Sequence, residues 1–113
     1  MRDLVFMGDS LEVLSGFPDD VKSDVGYALW FAQEGRTHEK AKPFRGHPGV
    51  FEIAIPYAKE AYRAVYALKI GKHIYVLHAF QKKSNQGIKT PRPDLELIEM
   101  RYKAAKRREE FNV

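Results

Sequence analysis

The chain has 113 residues; 44% are hydrophobic, none is cysteine, and 19 basic side chains stand against 15 acidic ones. That length predicts a single domain over residues 1–113 with a core of its own, and the lack of cysteine excludes a disulfide framework or a thiolate metal site. No run approaches the roughly 18 apolar residues of a membrane span, and MRDLVFMGDS places acids where a signal peptide would stay apolar, so a soluble cytoplasmic protein with no membrane partner is expected.

Residues 3–7 (DLVFM) are apolar but too few to assign by period, which leaves a first strand and a lead-in coil both open. Gly8, Asp9 and Ser10 supply a turn and a helix N-cap, because a short side-chain oxygen accepts from the orphan N–H groups. Leu11, Val13 and Leu14 make a short helix. Gly16-Phe17-Pro18 breaks it and starts another, with Pro18 at a position that loses no useful N–H. Asp19 and Asp20 then suit the positive end of the helix dipole. Val21, Val25, Ala28, Leu29 and Ala32 form one apolar stripe of 3.6-residue period, which Trp30 and Phe31 widen as further core. Gly35 ends the helix in the left-handed conformation.

Residues 36–48 (RTHEKAKPFRGHP) are polar, basic and broken by Pro and Gly, and read as a loop. His38 and His47 have no ligand spacing and read as solvated loop histidines. Residues 49–57 (GVFEIAIPY) read as a strand, with Pro56 marking an edge or an end. Alternation puts Val50, Glu52 and Ala54 on one face and Phe51, Ile53 and Ile55 on the other. After a turn at 58–60, residues 61–68 give the next strand, with Tyr62, Ala64, Tyr66 and Leu68 opposed to Arg63, Val65 and Ala67. A hairpin at 69–72 uses Gly71 for positive φ. The strand at 73–80 is half apolar on either face, Ile74-Val76-His78-Phe80 or Tyr75-Leu77-Ala79, as a strand covered on both sides would be.

Residues 81–93 (QKKSNQGIKTPRP) read as a second loop, long enough to carry function. Pro93-Asp94 opens a last helix with a core stripe of Leu95, Ile98, Tyr102 and Ala105. Its final turns carry Lys103, Lys106, Arg107 and Arg108, which serve either the dipole and solubility or contact with RNA. The expected fold class is α+β: N-terminal helices, an antiparallel β-sheet meander and a C-terminal helix.

Charge is distributed unevenly along this plan. Residues 61–93 hold seven Lys or Arg and no Asp or Glu, so the remainder of the chain is slightly acidic. A positive sheet surface interleaved with tyrosine and histidine points to a polyanion, RNA or DNA. No P-loop, dinucleotide fingerprint, metal motif or Ser-His-Asp set is present. The available Lys, Arg, His and Tyr suit metal-independent RNA cleavage, in which the 2′-hydroxyl attacks the adjacent phosphate with acid–base help and cationic stabilisation. Arg63 can bridge two phosphate oxygens. Lys82 and Lys83 offer point charges and, where cations crowd, a lowered pKa. His78 or Tyr66 could serve as acid or base. Read structurally instead, Tyr62, Tyr66 and Tyr75 are core-rim residues, His78 is a hydrogen-bonded core histidine, and Lys82-Lys83 blunts a strand end.

The run Tyr62-Arg63-Ala64-Val65-Tyr66, the strand end VLHAFQKKS at residues 76–84 and the Thr90-Pro91 before the last helix resemble the phage-derived Gp49-like family, HigB-type toxins of the RelE/ParE superfamily. The resemblance covers residues 50–108. It implies a RelE-like toxin that cleaves mRNA in the ribosomal A site, needs no metal or organic cofactor, docks on 16S rRNA and is neutralised by a helix-turn-helix antitoxin. It implies phosphate contacts from Arg63, Lys82 and Lys83, with His78, Tyr66 and Thr90 carried over beside them. Lys59, Lys69, Lys89 and Arg92 complete the expected RNA-binding set. Many relatives have an arginine soon after the glutamate of the preceding strand; here Ile53 and Ala54 follow Glu52, which leaves Lys59 as the substitute. The alternative is a non-catalytic member that binds nucleic acid or protein, of gyrase-inhibitor type or an inactive phage relic.

Overall fold

In the computed structural model, which describes residues 1–83 and 89–111, the apolar periodicities resolve into three helices and a five-stranded sheet. Strands β1 (Asp3–Phe6), β2 (Ala41–Pro43), β3 (Val50–Tyr57), β4 (Glu60–Ile70) and β5 (His73–Lys83) lie in the order β1-β5-β4-β3-β2. Helices α1 (Ser10–Ser15) and α2 (Asp19–Gln33) precede β2, and α3 (Arg92–Phe111) follows β5. The expected antiparallel meander is β3 to β5; β2 extends it at the β3 edge, and β1 adds a parallel partner to β5, which makes the sheet mixed. None of these helices is long and apolar enough to cross a membrane.

Each face of the sheet is covered. Val21, Val25, Leu29 and Ala32 of α2 and Leu14 of α1 pack on Ile53, Ile55, Ala64, Tyr66, Ile74, Val76 and Ala79. Ile98 and Ala105 of α3, with Leu95 and Tyr102 beside them, pack on Val50, Val65, Ala67, Tyr75, Leu77 and Phe80. Burying each large side chain contributes about 1.5–3 kcal/mol, which is why the helical stripes dock here rather than face water. β5 lies inside the sheet with both faces covered, which accounts for its two half-apolar faces.

The register of β5 departs from strict alternation. Val65 pairs with His78 while the next residue, Tyr66, pairs with Val76, so Leu77 is an extra residue in β5. A bulge of this kind reverses the inside–outside parity of everything beyond it. Tyr75 and Leu77 therefore share the α3 face with His78, Phe80 and Lys82, and neither of the two simple alternations is correct.

Other local expectations need correction. The stretch expected to be the first loop contains β2, because Ala41 finds a buried place opposite Ile53. β5 runs on to Lys83, past the expected start of the second loop, since Gln81, Lys82 and Lys83 still pair with Tyr62, Ala61 and Glu60. Asp9 sits at the N-cap of α1, where its carbonyl accepts from the Val13 amide, but its carboxylate does not cap the helix and accepts from Arg101 instead, at 2.9 Å. Trp30 is 38% exposed, so it is not core. It joins Tyr27, Phe31 and His38 in an outer aromatic cluster, with the Arg36 guanidinium 4.3 Å from the Phe31 ring.

Candidate nucleic-acid interface

β4 and β5 bring two cations together under the first turns of α3. Arg63 pairs with Phe80 and Ala61 with Lys82, so Arg63 and Lys82 are diagonal neighbours on one face, a separation of about 7–8 Å at the backbone that long side chains close. The bulge at Leu77 decides this: without it Lys83, and not Lys82, would share the face of Arg63. Lys82 is 2% exposed, and its ammonium donates to the Lys89 carbonyl. Burial, and then the nearby Arg63 charge, hold its pKa below the ordinary lysine value, against a smaller opposing pull from Glu52.

Glu52 stands diagonally across from Arg63 on β3, with its carboxylate accepting from the guanidinium at 2.5 Å. Both side chains are 16% exposed. Among the described residues, Arg63 Nε and Glu52 Oε2 are buried without a partner. The pair thus satisfies only part of its hydrogen-bonding capacity, and Arg63 keeps an unused donor in a site shared with Lys82.

A cleft of about 400 Å³ opens beside the pair. Glu52, Lys89 and Thr90 form part of its lining, together with Phe44, Arg45, His47 and Leu95. Lys89 and Thr90 are therefore brought to the cation pair, Lys89 through its carbonyl on Lys82. Lys59 is exposed at the β3–β4 turn, and Arg92 projects from the start of α3, where its guanidinium meets Glu96 at 3.3 Å. The side chains of Lys69 and Lys83 lie outside the described residues.

Two expected residues are not part of this group. Tyr66 points to the opposite face, fully buried under α1 and α2, so the sheet separates it from Arg63. Its hydroxyl is without a partner among the described residues, and burial pushes it up to about 12. His78 faces the right way but lies beyond Phe80, whose ring stacks on it at 5.2 Å. Its two ring nitrogens are engaged, Nε2 with Asp94 at 2.7 Å and Nδ1 with Arg101 at 3.0 Å. Arg101 can only donate, so Nδ1 accepts and the Nε2 proton goes to Asp94. The imidazole ties α3 to β5 and has no free nitrogen for a ribose hydroxyl.

Sequence reasoning gave Glu52 no role of its own, read His47 as a solvated loop histidine and did not single out Arg101. The signal for Glu52 was present: one acid and one arginine sit on strand faces that are otherwise apolar, and such residues tend to meet. Arg101 gave no signal. It reaches from α3 to the Leu77 carbonyl, His78 and Asp9, and lies so close to Gly8 (φ 55) that a side chain there would displace it. Among the described residues, no three His, Cys, Asp or Glu side chains gather as a metal site would need.

The family model described as "Phage derived protein Gp49-like" matches residues 12–103. Among solved structures, the isolated E. coli RelE toxin is similar with a TM-score of 0.57 and 20% identity, over 88% of this chain and 98% of that one. The intact E. coli RelBE toxin-antitoxin complex contains a chain similar with a TM-score of 0.57 and 22% identity, over 70% of this chain and 94% of that one. No curated protein sequence matches. At these identities the likeness establishes a RelE-like fold.

Proposed function

The chain belongs to the phage-derived Gp49-like protein family, and on that premise we propose that it is the toxin of a toxin–antitoxin pair, a metal-independent endoribonuclease that cuts mRNA on the ribosome. The observation that carries this reading is the convergence of Arg63 and Lys82 on one face, beside a cleft and with an arginine donor unused. A phosphate at this point receives the planar fork of Arg63 and the charge of Lys82.

The reaction needs these two side chains, the RNA and a proton donor for the leaving oxygen. The ribose 2′-oxygen attacks phosphorus, the bond to the 5′-oxygen breaks, and a 2′,3′-cyclic phosphate and a 5′-hydroxyl result. Lys82, on the same face as Arg63, is the proposed acceptor of the 2′-hydroxyl proton. Arg63 stabilises the charge gathering on the phosphoryl oxygens. Water or the ribosomal RNA supplies the proton for the departing oxygen. DNA, which lacks the 2′-hydroxyl, is not cut. The partner is a helix-turn-helix antitoxin, in keeping with the toxin–antitoxin complex formed by a protein of like fold. The site of action is the cytoplasm, where 16S rRNA meets the basic surface. Lys59, Lys69, Lys83 and Arg92 are proposed as outer RNA contacts.

Primer extension on ribosome-bound mRNA tests the reading. Cuts inside codons are expected with the wild type, and cuts lost in Lys82→Met that still binds ribosomes. The Glu52–Arg63 pair favours one rival, a non-catalytic relic whose arginine is permanently engaged. Wild-type expression without growth arrest or cleavage selects that rival.

A further inference from the structure

We propose that the cleft between the β2–β3 loop and the start of α3 is a nucleobase subsite, which holds one base of the RNA strand whose phosphate lies at Arg63 and Lys82. The proposal rests on the nuclease reading and assigns the determinant of its base preference.

The cleft is continuous with the cation pair through two residues. Glu52 both lines it and binds Arg63; Lys89 both lines it and accepts from Lys82. At about 400 Å³ it falls within the range of pockets that enclose small ligands. Phe44 and Leu95 give it an apolar wall, while Arg45, His47 and Thr90 supply polar groups. A flat heteroaromatic ring with hydrogen-bonding edges fits that lining, and Glu52 and Lys89 join it to the Arg63–Lys82 pair, where the attached phosphate would lie.

The wall is rigidly built. The Phe44 amide donates to Val50 and the Val50 amide to His47, and His47 donates back to Phe44, which closes the loop on itself at 2.8–3.1 Å. Gly46 at φ 80 makes the reversal that this needs. His47 is set between two acceptors, the Arg45 carbonyl at Nδ1 and the Glu99 carboxylate of α3 at Nε2, each at 3.0 Å, and its N–H donates to one of them. The ring faces remain for stacking, tilted against Phe44 at 5.1 Å. The Thr90 hydroxyl is both donor and acceptor, so it reads a base edge.

The test is an NMR titration of the full chain with the four nucleoside 3′-monophosphates and, separately, inorganic phosphate. Nucleotides should shift the His47 ring and the Leu95 and Thr90 methyls to extents that depend on the base, and phosphate should shift only Arg63 and Lys82. Leu95→Trp, which fills the cleft, should weaken nucleotide binding at least tenfold and leave phosphate affinity unchanged. Should that variant fail to fold, His47→Ala reads the same loss. Equal shifts from all four nucleotides and phosphate, or full affinity in the filled cleft, would overturn the subsite. So would a cleft that takes up an apolar antitoxin segment and ignores nucleotides. RNA cleavage without base-dependent shifts sinks the subsite alone; base-dependent shifts without cleavage sink the nuclease reading alone.

Discussion

Glu52 and Arg63 are two long side chains taken from water and given one short contact, with an atom of each left unpaired among the described residues. Desolvation of such a pair offsets much of its attraction, whereas removal of one partner strands the other charge. Arg63→Met should therefore cost about 3 kcal/mol in denaturant melts, and Glu52→Met with Arg63→Met should recover most of it. The double variant then separates catalysis from folding: it should be stable and should cleave about 100-fold more slowly or worse, as the loss of a charge-stabilising donor predicts. Lys82 makes the converse case. Its pKa is depressed mainly by burial, so the folded chain carries a penalty for the charged form at neutral pH. That penalty fades as pH rises from the lowered value towards 10.5, the ordinary lysine value. Lys82→Met should thus be at least as stable as the wild type at pH 7, lose that advantage at alkaline pH, and cut no RNA. Thermal melts over pH 7–11 follow the first effect and a cleavage assay the second.

At the scale of elements, α3 is fastened to β5 at two places. Near its start His78, Asp94 and Arg101 form one connected network. Near its end Glu109 receives the Tyr75 hydroxyl at 2.5 Å, the Lys72 amide at 3.0 Å and His73 at 3.1 Å, over the hairpin where Gly71 takes φ 56. The Tyr75 hydroxyl, with the Lys72 amide and His73, holds the Glu109 carboxyl at about 2, below its ordinary 4.5. Burial and the Glu109 carboxylate push Tyr75 up to about 12. A depressed carboxyl adds stability above its unfolded value, and that stability disappears as pH falls through the folded one. Glu109→Gln should accordingly destabilise the last turns of α3 at pH 7, read as faster hydrogen exchange there, and the difference from wild type should close between about pH 4 and 2. Much of this architecture was legible in the sequence, because the stripes of α2 and α3 and the alternation of β3 and β4 record burial directly. The bulge in β5 was not, since an extra residue leaves composition and propensity unchanged while it reverses the faces. That one residue explains why the sequence alone named both Lys82 and Lys83 and could not choose, whereas Tyr66, which the alternation of β4 already set on the face opposite Arg63, was grouped with it on chemistry and resemblance alone. The His47–Glu99 contact, between residues far apart in the chain, was illegible for a different reason: nothing local marks a loop histidine as a wall.

Across the whole molecule the two faces differ in charge. On the α1 side a cleft of about 480 Å³ is lined by Asp9 and Glu12 with Tyr62 and Gln81, and Asp19 and Asp20 stand exposed at the head of α2. On the α3 side Lys103, Lys106, Arg107 and Arg108 are all exposed, on the same side of the sheet as Arg63 and Lys82. On the proposed nuclease reading, a phosphate backbone should be drawn to the second face rather than the first. Each cation that meets a phosphate releases a counterion, which makes the logarithm of affinity fall linearly with the logarithm of salt concentration. Lys103→Ala and Arg107→Ala should each lower that slope by about one when binding to ribosomes or rRNA is measured across salt concentrations. Asp19→Ala and Asp20→Ala should leave the slope where it was. Equal slopes for all four variants would mean that α3 is basic for the sake of its dipole and solubility, and that RNA meets the molecule only at the Arg63–Lys82 cleft.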